Sequence, residues 1–342
     1  MMATKVDSLE SVAIVGAGAW GTSLACILAD RYRQVRLWVY EADLADEMLQ
    51  TRENAAYLPG VPLPPSVLPT PVLERALVGQ RFVIFVVPSH VFRRVVEEAR
   101  AHLCDDAVLV SATKGIETES LCTMSQIMRQ TLPPVQHAAL TVLSGPSFAR
   151  EVAARRPTAV VAAAQAPQAA RRVQEAVSGG PLRVYAGTDP LGVELGGAVK
   201  NVIAIAAGIV DALELGTNAR AALVTRGLAE TTRLGVAMGA QAATFAGLAG
   251  MGDLILTCTG DLSRNRTLGK RLAGGSSLAD ALSGSRAVAE GVNACRSVVR
   301  LAERFGVEMP ICRAVHRVLF EGQEPREAVV GLMTRDLRFE GD

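Results

Sequence analysis

The chain has 342 residues, 49% hydrophobic but only 4% aromatic. That suits about two domains with cores of Ala, Val and Leu, as in α/β and helical proteins. A net charge of +1 with dispersed basic residues argues against a nucleic-acid surface, while leaving room for a local cluster that binds one small anion.

Six scattered cysteines with no C-x-x-C, and four histidines without ligand spacing, read as reduced residues of a cytoplasmic protein with no metal site. No apolar run approaches the roughly 18 residues of a membrane span. Residues 1–10 lack a signal-peptide core and read as a loose tail.

The first element is an apolar strand, Val12 to Val15, followed by glycines at 16, 18 and 21 and a helix-like run from Thr22 to Ala29. In this G-x-G-x-x-G spacing Gly16 permits the tight turn, Gly18 lets backbone approach a pyrophosphate, and Gly21 lets helix and strand sit close. The helix N-terminus then faces the phosphates with free N–H groups and its positive dipole end. Glu41, about 20 residues on, completes the dinucleotide fingerprint. A glycine turn without nucleotide is the competing reading. No arginine follows the second strand, so Glu41 would accept from ribose hydroxyls and repel a 2′-phosphate, favouring NAD over NADP.

Further strands are expected at 35–39, 82–87, 107–111, 139–143 and 158–163, with helices such as 89–101 and 167–178 between them. This alternation predicts an α/β fold, a doubly wound, Rossmann-like, mostly parallel sheet. Residues 54–71 are proline-rich and read as a structured surface loop. The strand ends at Gly16–Gly21, Pro88–His90, Ala112–Gly115 and Ser144–Ser147 would converge on one crevice. After Thr188-Asp189-Pro190, an N-cap and first-turn proline, only helices are expected: 190–215, then about 218–238, 265–273, 277–283, 288–305, 311–321 and 325–334. The domains are therefore expected as a tail at 1–10, a dinucleotide-binding domain at 11–189 and an all-helical substrate-binding domain at 190–342.

Within that helical half, Lys200 has Gly196, Gly197, Ile203 and Ala204 as its helical neighbours and no local acid. Such a lysine either snorkels to solvent or meets a distant partner or a ligand. Asn201 beside it would orient whatever it contacts. Asp253, isolated in an apolar stretch that ends at Thr257, is either the charge partner of Lys200 or a helix cap. Ser263-Arg264-Asn265-Arg266 opens a helix and forms either a phosphate cradle or a solvated turn. Lys114, at a strand end, would bring a cation to the crevice. Ser144–Ala149 offers hydroxyls and N–H groups there, although a structural turn would use the same residues.

Together these motifs resemble the soluble bacterial type of NAD(P)-dependent glycerol-3-phosphate dehydrogenase, from about Val12 to Met333. The carriers are residues 16–22, 54–60, 87–90, 112–115, 144–149, Val199-Lys200-Asn201, Gly252-Asp253-Leu254-Ile255, 263–266 and Val288-Ala289-Glu290-Gly291. The resemblance implies that Lys200 exchanges the proton at the substrate C2 oxygen. Lys114, Gly145, Ser147, Asp253, Ser263, Arg264 and Asn265 would hold glycerol 3-phosphate, and Asn201 and Thr257 join these substrate-binding candidates. Ala19, Trp20, Tyr40, Lys114, Ala149, Arg264, Val288 and Glu290 would touch the dinucleotide, together with Gly16, Gly18, Gly21 and Glu41. It also implies a homodimer whose product feeds phospholipid synthesis. The alternatives are a β-hydroxyacid-type dehydrogenase, which would not need the phosphate cradle, and a non-catalytic dinucleotide sensor, which would not need Lys200 and Asp253.

Overall fold

The computed structural model describes residues 9–283, 290–337 and 339. Eight strands form one sheet: β1 (Leu9–Val15), β2 (Tyr32–Trp38), β3 (Val67–Thr70), β4 (Phe82–Phe85), β5 (Val108–Ser111), β6 (Leu140–Ser144), β7 (Thr158–Ala163) and β8 (Leu182–Gly187). Their order is β3-β2-β1-β4-β5-β6-β7-β8, and every neighbouring pair is parallel except β6 with β7. The central strands are covered on both faces by helices, which is why they read as continuous apolar runs. The chain order reverses between β1 and β4, which is the crevice position for a ligand in such sheets.

The expected sheet forms, with three corrections. β1 begins at Leu9, so the last two residues of the expected tail belong to the strand. β3 runs through the proline-rich stretch: it is an edge strand, where Pro69 is tolerated. β8, the opposite edge, buries Leu182 and Val184 and turns Arg183 and Tyr185 outward, so it lacks the apolar run that marks the inner strands.

The helical half is built on one helix, Pro190–Ala212. The Asp189 carboxylate caps it by accepting from the Gly192 N–H at 2.9 Å. Every residue from Gly192 to Val210 is buried. By length and composition this helix could cross a membrane, a possibility the sequence reading missed, but here its apolar stretch lies wholly inside the fold. The helix Arg264–Ala273 crosses it at backbone contact. A Cβ on Gly208 would lie 2.0 Å from the Arg266 carbonyl oxygen, and one on Gly269 2.0 Å from that of Ile205. This close crossing brings Asn265 to Asn201, the neighbour of Lys200.

Candidate active site

The glycine turn has the shape a dinucleotide needs. Gly16 has φ +119, and a Cβ on Gly21 would lie 1.9 Å from the Gly16 carbonyl oxygen, so neither position accepts a side chain. Around Gly18 a Cβ would meet nothing within 4 Å. Gly18 is also the N-cap of the helix Ala19–Leu28, whose first N–H groups receive no side-chain cap. Ala19 and Trp20 open that helix. Ala149 abuts it, its carbonyl accepting from Ser23 Oγ at 2.9 Å.

The turn has a support that sequence reasoning missed. Buried Asn54 donates to the Ala17 carbonyl and to Thr22 Oγ1, both at 2.8 Å. The proline-rich stretch therefore holds the glycine turn from behind. Beyond β2, Tyr40 is 67% exposed, and the Arg94 guanidinium lies 5.8 Å from its ring centre. Glu41, also exposed, accepts from the Tyr57 hydroxyl at 2.8 Å.

Where the two halves meet, a buried carboxylate joins two lysines. Asp253, 1% exposed, is the first residue of the helix Asp253–Thr259. It accepts from Lys200 Nζ at 2.5 Å through Oδ1 and from Lys114 Nζ at 2.6 Å through Oδ2. Lys200 is 7% exposed and also donates to Thr257 Oγ1 at 2.7 Å. It does not snorkel. Lys114 donates further to the Gly145 carbonyl at 3.0 Å, and Ser147 Oγ reaches the same carbonyl at 2.9 Å.

Burial lowers the Lys200 ammonium to a pKa of about 8, with Lys114 adding to the shift and Asp253 opposing it. Burial alone would raise Asp253, but the two ammoniums outweigh it and hold the carboxyl below its usual range. Two cations and one anion leave the cluster with a surplus positive charge, ready for an anionic group.

The adjoining wall separates two arginines. Arg266 is neutralised by Asp211 at 2.5 Å and Asp261 at 2.8 Å, so it is structural. Arg264 has no ion-pair partner among the described residues. It is exposed to solvent, while partial desolvation lowers its pKa and Glu290 opposes the shift. Ser263 Oγ accepts from the Arg266 N–H at 3.3 Å as a helix cap. Asn265 Nδ2 donates to Asn201 Oδ1 at 2.9 Å, and its own Oδ1 accepts from the Gly291 N–H at 3.1 Å. The Glu290 carboxylate accepts from Ser89 Oγ at 2.7 Å and from the Ser89 N–H at 3.3 Å. Val288 lies outside the described residues. No group of three or more His, Cys, Asp or Glu among the described residues is arranged to hold a metal ion.

Residues 11–170 match the family described as NAD-dependent glycerol-3-phosphate dehydrogenase N-terminus, and residues 189–330 match the corresponding C-terminus. The chain belongs to the NAD-dependent glycerol-3-phosphate dehydrogenase family. It is 55% identical over 332 residues to glycerol-3-phosphate dehydrogenase [NAD(P)+] of Geobacter sp. (strain M21), covering 97% of this chain and 99% of that one. The enzyme of the same name from Geobacter sulfurreducens is 55% identical over 331 residues, again covering 97% and 99%. Among solved structures, glycerol-3-phosphate dehydrogenase from Coxiella burnetii superposes with a TM-score of 0.91 at 40% identity, covering 96% of this chain and 99% of that one.

Proposed function

We propose that the chain interconverts dihydroxyacetone phosphate and sn-glycerol 3-phosphate with NAD(P)H, and that Lys200 exchanges the proton at C2. The observation that carries this reading is the pair of lysines, Lys200 and Lys114, sharing the buried Asp253 carboxylate. When bound, the reduced nicotinamide supplies the hydride. As the hydride reaches C2, negative charge develops on the carbonyl oxygen. Protonated Lys200 stabilises that charge and delivers its proton to the oxygen, giving the alcohol; the reverse reaction returns the proton to Lys200. Asp253 keeps Lys200 protonated near neutral pH and aims it.

Arg264, which has no ion-pair partner among the described residues, receives the phosphate with the backbone at the start of its helix. Lys114, Gly145, Ser147, Asn201, Thr257, Ser263 and Asn265 complete the substrate side. The dinucleotide lies along Gly16–Gly21, Tyr40, Glu41, Ala149 and Glu290. The reading assigns cofactor binding to residues 11–189 and substrate binding to 190–342.

NAD is favoured over NADP. Glu41, held by the Tyr57 hydroxyl, accepts from ribose hydroxyls and repels a 2′-phosphate. The protein acts as a cytoplasmic homodimer whose product supplies phospholipid synthesis. Absorbance at 340 nm with dihydroxyacetone phosphate, and NADH or NADPH in parallel, tests the reaction. Oxidation with this substrate and none with free dihydroxyacetone is expected. Equal rates with both would remove the phosphate requirement, and faster oxidation of NADPH would overturn the NAD preference.

A further inference from the structure

The helix that carries Lys200 also carries a second buried ionisable group, which the chemistry above does not use. Glu194 is fully enclosed. Its carboxylate accepts from the Ser125 N–H at 2.7 Å and from Ser125 Oγ at 2.6 Å. The Thr123 hydroxyl and the Met124 N–H lie near enough to favour its charged form. These residues form the N-terminal turn of the helix Met124–Thr131, so an acid of the helical half grips a helix start that belongs to the sheet half. Burying a carboxylate carries a desolvation penalty that an apolar contact would avoid. Directional fixing, more than net stability, is what such a joint supplies.

What it fixes is the loop between β5 and that helix. The loop leaves β5 at Ser111, presents Lys114, and closes through a bridge between Ile116 and Thr123. Ser297 Oγ donates to the Ile116 carbonyl at 3.2 Å from the other side. Glu194 therefore grips the foot of the loop whose tip delivers Lys114 to Asp253, while six residues along its own helix Lys200 meets the same Asp253. We propose that Glu194 is a positioning residue for the reaction: its clasp on residues 123–125 sets the Lys114 loop against the helix of Lys200, and so the spacing of the two lysines at the substrate. The inference rests on the roles given to those lysines above.

A displacement of about 1 Å in such a site costs on the order of 100-fold in rate. Glu194→Ala is therefore expected to lower kcat by roughly tenfold to 100-fold, with the NADH dissociation constant unchanged within about twofold, because the glycine turn is remote from the joint. Glu194→Gln keeps an acceptor oxygen and should lose less. Ser125→Ala removes the hydroxyl contact alone, folds more readily than Glu194→Ala, and should lose a few-fold. As Lys114 withdraws it depresses Lys200 less, so the alkaline limb of the pH profile should move upward in both Glu194 variants.

Steady-state kinetics of dihydroxyacetone phosphate reduction from pH 6 to 10 read both effects. Glu194→Gln and Ser125→Ala enzymes that melt earlier but keep wild-type kcat and an unmoved alkaline limb would show a purely structural cap and overturn the inference. Lys200→Ala in the same assay keeps the two ideas apart. Full activity in that variant removes the role of Lys200, whereas the Glu194 inference is judged on its own variants against wild type.

Discussion

Asp253→Asn removes the one negative charge between two buried ammoniums while keeping the shape of the side chain. Lys200 and Lys114 bond to different oxygens of the carboxylate at 2.5 and 2.6 Å, so its charge offsets the repulsion between them. Unit charges about 6 Å apart, at an effective dielectric of about 20, repel by roughly 3 kcal/mol, or about two pKa units. With Asp253 in place that repulsion is offset and Lys200 titrates at about 8. Without it, the limb above which Lys200 can no longer donate should fall by about two pH units. At pH 7.5 the protonated fraction then drops from about three-quarters to a few per cent, a loss of roughly 25-fold in kcat/KM for reduction. The assay is the 340 nm rate with NADH from pH 5.5 to 9.5. Recovery of the variant toward wild-type rates at the acid end would mark the loss as electrostatic rather than a collapse of the site. An alkaline limb still near 8, with kcat/KM within about threefold of wild type, would refute the argument that Asp253 sets the charge state of Lys200.

Lys200→Ala should lose about 10²–10⁴-fold in turnover, the usual worth of a positioned proton donor, while NADH still quenches or shifts its fluorescence on binding as in wild type. Glu41→Ala removes the acid facing the ribose and should improve kcat/KM for NADPH by about tenfold or more with little change for NADH; an unchanged NADPH value would remove Glu41 from cofactor choice. Away from the site, Glu230 accepts from the Ile311 and Cys312 N–H groups at 2.7 and 3.2 Å, and burial pushes its carboxyl up to about 7. An acid whose pKa is raised on folding stabilises most below its unfolded value, so this contribution should fade as pH rises from about 4.5 to 7, by about 3 kcal/mol. Tm measured against pH should fall across that window in wild type and less steeply in Glu230→Gln; parallel curves would contradict the sign.

The sequence carried the site further than the fold around it, for a physical reason. A glycine that excludes a side chain and a lysine with no acid within a helical turn are visible in one dimension, because each breaks a local rule. Gly16, Gly21, Lys200 and Asp253 announced themselves in this way. Arg264 and Arg266 did not separate: both sit in the same polar turn, and only the placement of Asp211 and Asp261 shows that Arg266 is the neutralised one. Asn54, Tyr57 and Glu194 act across 32, 16 and 69 residues of chain, and nothing local marks an asparagine in a proline-rich stretch as the brace of a distant turn. β3 and β8 escaped for a related reason, since an edge strand half turned to solvent loses the continuous apolar run that betrays an inner one. The residues that would meet ligand were thus legible from the rules they break, and those that hold them in place only from the contacts that satisfy them. Variants of the first kind should fail in chemistry or binding with the fold intact, and variants of Asn54 should weaken cofactor binding before they touch turnover at saturating cofactor.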